Sequence, residues 1–448
     1  MVRNTPPISP FSIPNIRLFI AFRVFINSRF YYPVFTILFL DFGLTVAQFS
    51  ILNAVWAATI VLAEVPSGAL ADVFGRKRLL VFTAGVMIVE IGIIAFIPKT
   101  EVFIIFIVFM VNRILSGLAE AASSGADEAI AYDSLAKEGL EGEWGKVLEV
   151  LSRFQSMGSI VAVTVGAAIY DPNLLDRLFG FFGVDTAFNQ ETTMRFPLYL
   201  TFILAIFALV TALKMVDVDP VVSDTKREHP ANVWAMTLDA GRWILKTPFV
   251  LSIMLFGMMF DGILRMVLTL SSQYYRMILL PESLFGLIGA FVAMLGFVIP
   301  SIANWVVQTR SPATAVWINA ILAFIGLFSM NFFWPYAGII PALITFAAII
   351  FNGFFVSYYL NQVTESDMRA TVLSFKGLAY NISYGTLGIL YALLLKANKM
   401  GLEGQIDGKS LENQVFIDTF FSFPFTFVIW FVLLLAFYYL KLREKVVQ

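Results

Sequence analysis

Ionisable side chains, among them eight arginines, aspartates and glutamates, lie inside otherwise apolar stretches of this sequence. An ionised group at the centre of a bilayer costs about 2.5–3.5 kcal/mol, so such groups usually face a protein interior and bind ions, polar ligands or one another. Each of them is therefore a candidate for a substrate or proton site. The residues are Arg23, Arg29, Glu64, Glu90, Arg113, Glu120, Asp261 and Arg265.

Arg113, Glu120 and Asp127 stand seven residues apart in one predicted helix. Each step of seven leaves a side chain only about 20° from its starting direction, so the three groups form one polar stripe. Two interpretations stay open. The stripe is a substrate or proton path anchored at Arg113, or it is a structural ladder whose charges neutralise one another or partners on neighbouring helices.

The first predicted helix carries two arginines that point in different directions. Arg23 and Asn27 share one face with Tyr31, whereas Arg29 lies about 120° away. Arg29 and Glu90 each lie roughly 17 Å from the cytoplasmic ends of their helices, at 1.5 Å per residue. This match in depth favours a buried ion pair between Arg29 and Glu90, and it leaves Arg23 as the better ligand candidate.

Asp261 and Arg265 are four residues apart, which is the spacing of an ion pair on one helical face. One interpretation is a pair that neutralises itself. The other is a protonatable Asp261 that exchanges its proton for substrate. Farther along the chain, Asn352 and Tyr359 offer neutral hydrogen-bonding groups for a ligand.

The composition indicates which elements must position these groups. Of 448 residues, 59% are hydrophobic and 14% are charged, and the mean hydropathy is +0.82. Soluble domains carry about 25% charged residues because their surfaces face water. The chain is therefore predicted to be a polytopic membrane protein. The absence of cysteine excludes disulfides, thiol catalysis and thiolate metal sites.

A membrane-crossing helix needs about 20 apolar residues, and runs of that length are too long for barrel strands. The sequence predicts twelve spans in two groups of six, and hence an all-α fold. They lie near 17–40, 47–68, 79–97, 102–124, 150–170, 196–216, 247–270, 283–306, 313–333, 336–360, 371–396 and 415–440.

The longest polar interruption divides the two groups of spans. We expect a six-helix bundle over 1–216, a cytoplasmic linker with an amphipathic helix over 217–246, and a second six-helix bundle over 247–448. Lys and Arg are retained on the cytoplasmic side of membranes. With the N-terminus inside, about 19 of the 30 basic residues fall on that side and about 7 on the other. Both termini are therefore predicted to be cytoplasmic.

The loop between the second and third spans contains the sequence SGALADVFGRKRLL, residues 67–80. It resembles the signature loop of the major facilitator superfamily. A second similarity lies in the fourth span, where Arg113 and Gly117 form an Arg-x-x-x-Gly motif. Two departures stand out: the loop near Arg310 keeps little of a second signature copy, and the fifth span has no Gly-Pro pair, which argues against drug export. The matching positions of the loop are Gly68, Leu70, Ala71, Asp72, Gly75, Arg76 and Lys77.

The resemblance implies two six-helix bundles, with the first, fourth, seventh and tenth helices lining a central cavity. It also implies a gating role for the signature loop. Asp72 would meet the start of the eleventh helix near 369–373, and Arg76 would meet an acid at the end of the fourth. The acids available to Arg76 are Asp127, Glu128 and Asp133, and Lys77 and Arg78 would hold the loop in the cytoplasm.

These features predict a secondary active transporter of the cytoplasmic (inner) membrane that works by alternating access. We expect coupling to protons and an anionic or zwitterionic small molecule as substrate, because the mid-membrane set of charges is basic. The alternatives are a multidrug efflux antiporter and a non-transporting sensor or scaffold on a transporter fold. We expect no enzyme activity, cofactor, metal or nucleic-acid partner, and a monomer surrounded by the lipid bilayer.

Overall fold

A computed structural model describes residues 9–74, 76–98, 100–123, 126–217, 241–364, 369–404 and 408–442. Within these ranges, the side chains of residues 64–74, 123, 126, 129, 145, 369–371, 373, 374 and 409 lie outside the description.

Helices account for nearly all regular structure in the described ranges, because an apolar run in lipid must satisfy its backbone hydrogen bonds internally. In chain order they are α1 (Pro14–Asn27), α2 (Phe35–Asp41), α3 (Val46–Phe74), α4 (Arg76–Ala95), α5 (Val102–Ser123), α6 (Ala126–Lys137), α7 (Trp144–Tyr170), α8 (Pro172–Phe181), α9 (Gln190–Thr193), α10 (Phe196–Lys214), α11 (Pro248–Thr269), α12 (Ser271–Met277), α13 (Leu284–Thr309), α14 (Pro312–Met330), α15 (Ile339–Val363), α16 (Arg369–Leu402), α17 (Gly408–Phe420) and α18 (Ser422–Phe437).

Among the described residues, ten helices are long and apolar enough to cross a membrane. The count is eleven if α7 and α8, which meet at an angle of 87°, form one broken span. The sequence predicts twelve. Two predicted spans account for the difference from ten. The first, 17–40, is divided into α1 and α2, and neither part is long enough to qualify. The fifth, 150–170, qualifies only when α7 is joined to α8.

The break in the first span lies between Asn27 and Phe35. The backbone leaves the helix at Ser28 and passes through a short 3-10 turn, Tyr32–Val34, before α2 begins. Pro33 lacks a backbone N–H and disfavours helical geometry in the residue before it. The prediction of one continuous helix over 17–40 is therefore wrong at its centre.

Several short helices connect the spans. The Asp171 side chain caps α8 by accepting hydrogen bonds from the N–H groups of Asn173 and Leu174, and Pro172 stands at the first helical position, where no N–H is needed. Helix α6 carries Asp127 and Glu128 in its first turn, where the positive end of the helix dipole favours acids. These connections hold several of the charged groups described below.

The chain divides into two compact units. One comprises Met1–Pro33 and Leu62–Ala231, and its apolar core joins α1, α4, α6, α7 and α10 around residues such as Phe19, Leu80 and Ile130. The other comprises Val34–Val61 and Asn232–Gln448. The predicted division into bundles at 216 and 247 stays a prediction, and the contact units differ from it in the segment Val34–Val61.

Specific polar contacts attach α2 to the second unit. The Ser272 hydroxyl accepts hydrogen bonds from the backbone N–H groups of Thr36, at 3.0 Å, and Ile37, at 3.2 Å. Arg276 forms a two-pronged ion pair with Asp41, with nitrogen–oxygen distances of 2.9 and 2.8 Å. The paired geometry makes this one of the stronger kinds of charged contact.

Candidate functional site

Arg29 and Glu90 form a buried ion pair between the end of α1 and the middle of α4. Arg29 Nη1 lies 2.8 Å from Glu90 Oε1, and the two side chains are 6% and 0% exposed. The same nitrogen donates to the Tyr31 hydroxyl at 3.0 Å. The structure therefore brings together the two residues whose matching depth predicts a pair.

The break after α1 changes the neighbours of Arg23. A continuous helix would place Tyr31 on the face of Arg23 and Asn27, and this prediction is wrong because α1 ends at Asn27. Tyr31 contacts Arg29 instead. The Asn27 side chain donates to the Arg23 backbone carbonyl at 2.9 Å, so it caps the last turn of its own helix.

Arg23 joins α1 to the start of α6. Its Nε lies 2.8 Å from Asp127 Oδ2, and its Nη2 lies 2.7 Å from Glu128 Oε1. Asp127 is fully buried, and this burial raises the pKa of its carboxyl to about 6 although Arg23 acts in the opposite direction. The sequence predicts Arg23 as a ligand candidate. In this structure its guanidinium forms ion pairs with two acids, Asp127 and Glu128.

The predicted polar stripe spans two helices. Arg113 is buried in α5, and its Nε and Nη2 both donate to the Asn112 side-chain oxygen, at 3.0 and 2.8 Å. Glu120 is exposed on the same helix, whereas Asp127 belongs to α6 and pairs with Arg23. The spacing of seven therefore relates Arg113 to Glu120 but does not extend to Asp127, because α5 ends at Ser123.

Asp261 and Arg265 pair on α11, at 2.5 Å between Oδ2 and Nη2. Helix α16 holds the guanidinium from the other side: Arg265 Nη1 donates to the Asn381 side-chain oxygen at 3.1 Å and Nη2 donates to the Tyr380 carbonyl at 2.9 Å. The Tyr384 ring lies under the guanidinium, with its centre 4.7 Å from Arg265 Cζ. One carboxylate and several neutral groups therefore hold the Arg265 side chain in place.

Lys376 is a further functional candidate, and it is absent from the set of residues predicted from the sequence. It lies on α16, and its Nζ is 5.9 Å from the ring centre of Tyr380. It also interacts electrostatically with Asp261. The available signal was a lysine inside the predicted span 371–396, one turn before the tyrosine. We name Asp261, Arg265, Lys376, Tyr380 and Asn381 the α11–α16 cluster.

The two neutral candidates on α15 lie in different surroundings. The Asn352 side chain is buried and donates to the Gly257 carbonyl of α11 at 3.2 Å. The Tyr359 ring packs edge-on against Phe249 and Phe355, and its buried hydroxyl has no hydrogen-bond partner among the described residues. Asn352 therefore joins the helix that carries Asp261, whereas Tyr359 belongs to an aromatic cluster.

The signature loop is described only in part. Gly75 and the side-chain environments of Gly68 and Asp72 lie outside the described residues. Arg76 forms an ion pair with Asp133 of α6, which is one of the three acids expected for it. The Lys77 backbone N–H donates to the Asp217 carboxylate at 2.8 Å, and Arg78 is exposed.

The described residues contain no cluster of three or more histidines, aspartates or glutamates that could hold a metal ion. The charged groups instead meet in small sets of one or two acids with one or two bases. Such sets can bind an anionic or zwitterionic ligand, exchange a proton, or hold helices together.

Comparison with known proteins identifies the class to which this fold and these buried charges belong. A sequence model of the Major Facilitator Superfamily matches residues 17–388, which is most of the chain. The chain belongs to this superfamily of membrane transporters. A search of curated protein sequences finds no match.

Solved structures of similar fold are transporters of different substrates. The nucleoside transporter NupG superposes with a TM-score of 0.70 at 12% identity, covering 97% of this chain and 100% of its own. A bacterial homologue of the human lysosomal transporter Spinster, in an inward-facing and unoccupied conformation, gives 0.69 at 14% identity and covers 97% of each chain. A D-xylose–proton symporter gives 0.63 at 13% identity, covering 96% and 97%. At these identities the likeness establishes the fold.

Proposed function

We propose that this protein is a secondary active transporter that moves an anionic or zwitterionic small molecule by alternating access, coupled to protons. The observation that carries the proposal is the Asp261–Arg265 pair inside α11, a helix that is apolar and long enough to span the membrane. Ionisable groups in such positions usually mark a substrate or ion path. The similarity to a proton symporter of the same fold supports the proposal.

The preference for an anionic or zwitterionic substrate rests on the arginines. Arg113 donates two hydrogen bonds to a neutral amide oxygen, and Arg265 also contacts neutral groups of α16. A guanidinium can form strong, charge-assisted and two-pronged hydrogen bonds to a carboxylate or phosphate. Asp261 supplies the protonatable group that coupling requires.

Efflux of apolar compounds is a second candidate, favoured by one specific observation. A cavity of about 180 Å³ in the second unit is lined mainly by apolar side chains of α11, α16 and α18. They include Met258, Ile263 and Trp430. An apolar ligand would gain free energy from burial there without using Asp261 or Arg265.

Transport by purified protein in proteoliposomes tests the proposal. A thermal-shift screen of metabolites and drugs first supplies ligands, and their uptake is then measured with and without an imposed pH gradient. We expect the gradient to stimulate uptake of an anionic or zwitterionic ligand, and Asp261→Asn to abolish that stimulation. Asp418→Asn removes an exposed acid of α17 and should leave it unchanged.

Two results would contradict the proposal. One is uptake that does not respond to the pH gradient in the wild-type protein, and the other is a response that Asp261→Asn leaves intact. If only apolar drugs stabilise the protein in the screen, and the protein then exports them, efflux would be favoured.

We further propose that the protein resides in the cytoplasmic membrane as a monomer with both termini inside.

A further inference from the structure

The α11–α16 cluster contains more positive than negative charge. Arg265 and Lys376 are cations, and Asp261 is the acid that interacts with both of them. Lys376 has no ion pair within 4.0 Å among the described residues, whereas Arg265 pairs with Asp261 at 2.5 Å. One carboxylate therefore serves two bases, and the cluster carries one uncompensated positive charge.

Other elements packed against the cluster do not balance this charge. Helix α15 contributes the neutral Asn352 near Gly257, and α18 contributes the apolar rings of Phe427 and Phe431 against Phe260. From α16, Tyr380 and Tyr384 add phenol groups beside the cations. No further acid faces Asp261 from these described side chains.

An uncompensated charge within a membrane-spanning region is costly unless a counter-charge is nearby. A carboxylate or phosphate offers oxygens to both cations at once, and charge-assisted hydrogen bonds of this kind are stronger than those between neutral groups. Arg265 is already oriented by α16 through Asn381 and the Tyr380 carbonyl. Little side-chain ordering is then needed when an anion binds, which favours affinity.

We propose that Arg265 and Lys376 together bind the anionic group of the transported molecule, a carboxylate or phosphate monoanion, and that Asp261 releases Arg265 to it on protonation. The proposal rests on the transport function proposed above and adds Lys376 as a ligand-binding residue. In the step, a proton from water bonds to a carboxylate oxygen of Asp261. The Asp261–Arg265 ion pair breaks, and the oxygens of the anion accept hydrogen bonds from Arg265 and Lys376. Release of the anion and the proton restores the ion pair.

The absence of cysteine allows a test that does not require the natural substrate. Ala379 lies on α16 one turn after Lys376 and is half-buried, so Ala379→Cys places a single thiol near the cluster. Two thiol reagents of similar size and opposite charge are the probes: sulfonatoethyl and trimethylammonioethyl methanethiosulfonate. The measured quantity is the ratio of their reaction rates, compared with the ratio for a free thiol in water.

We expect the ratio of the anionic to the cationic reaction rate to be about fivefold or more higher for the Ala379→Cys thiol than for a free thiol in water. The reason is the net positive charge of the cluster, which lies within several ångströms of the thiol. Adding Lys376→Gln should lower the ratio by a similar factor, Lys376→Arg should retain it, and Asp261→Asn should raise it. Lys399→Gln is the matched control, because Lys399 lies on the same helix but pairs with Glu412 at 2.5 Å. It should leave the ratio unchanged.

A ratio equal to that of the free thiol, or one that Lys376→Gln does not lower, would overturn the proposal. So would a thiol that reacts with neither reagent, because an anion from water would then have no route to the cluster. Lys376→Arg keeps the test valid if the Gln variant elutes as aggregate in size-exclusion chromatography. If the wild-type protein shows no proton-coupled uptake while the ratio of reaction rates behaves as expected, the transport proposal is contradicted and the anion-binding role of Arg265 and Lys376 is not.

Discussion

At the scale of single residues, the Arg29–Glu90 pair is the most buried ion pair in the described part of the chain. Both side chains are buried, and the Asn112 side chain donates to the Glu90 backbone carbonyl at 2.7 Å. Removing one member of a buried pair leaves the other charge without its partner, whereas replacing both by apolar groups is often tolerated. The pair therefore links the segment after α1 to α4, and it contributes less to net stability than its short distance suggests.

We expect Glu90→Gln to lower the free energy of unfolding by about 3–5 kcal/mol, because Arg29 then keeps its charge without the carboxylate. The double variant Arg29→Met with Glu90→Leu should recover most of that loss. Thermal unfolding in detergent, followed by circular dichroism, measures both effects. Equal losses in the single and the double variant would show that the pair itself stabilises the fold.

The α11–α16 cluster shows which residue-level features a sequence reveals. Asp261 and Arg265 are recognisable because a spacing of four places them on one helical face. Lys376, Tyr380 and Asn381 come from another helix, and nothing in the spacing along the chain indicates that α16 packs its polar face against α11. Such partners become visible only when the two helices are placed together.

At the scale of elements, the break between α1 and α2 is the main departure from a regular span. It places Phe30 against α7, where a Cβ atom added to Gly166 would lie 1.8 Å from the Phe30 carbonyl oxygen. The neighbouring Thr201 hydroxyl accepts a hydrogen bond from the Phe30 N–H at 3.1 Å. The break is therefore held in place by a close backbone approach that requires glycine in α7.

We expect Gly166→Ala to destabilise the protein by at least about 1–3 kcal/mol, since the added methyl group meets a backbone atom that cannot rotate away. Gly85→Ala is the control, because a Cβ atom there has no neighbour within 4 Å. The unfolding temperature and the monodisperse yield of each variant provide the measurement. A Gly166→Ala protein as stable as the control would show that α7 does not pack against Phe30 in this way.

At the scale of the whole molecule, membrane topology is the property that the distribution of basic residues predicts. The predicted orientation places α6 in the cytoplasm and the loop after α8 on the opposite side. Glu138 and Asp185 are exposed in these two places. Single cysteines at either position can be compared directly, because the chain contains no other thiol.

In intact cells, a membrane-impermeant maleimide should label Asp185→Cys and should label Glu138→Cys only after the membrane is permeabilised. The physical reason is that Lys and Arg near the ends of the spans are retained on the cytoplasmic side. Labelling is read from gel mobility or fluorescence. The reverse pattern would mean that the basic residues do not set the orientation of this chain.

Composition and the lengths of the apolar runs predict the fold class and most of the spans, and the signature-loop motif at residues 67–80 carries the family resemblance. Each of these features depends on residues that are close in the chain. For Arg76 the sequence offers three acids, and only the packing of α6 selects Asp133. The same packing places Asp127 and Glu128 beside Arg23. Choices among distant partners require the positions of helices that the spacing of residues does not encode.

The sequence by itself determined that this chain is a membrane protein, because its few charged residues cannot cover a surface in water. It also located charged residues within the spans, where the apolar environment makes a charge costly. Only the tertiary structure decided which charges meet. It broke the first span at a proline, paired Arg29 with Glu90, and brought Lys376 of α16 to the Asp261–Arg265 pair of α11. Hydrophobicity is a sum over local residues, whereas an ion pair depends on the distance between two atoms.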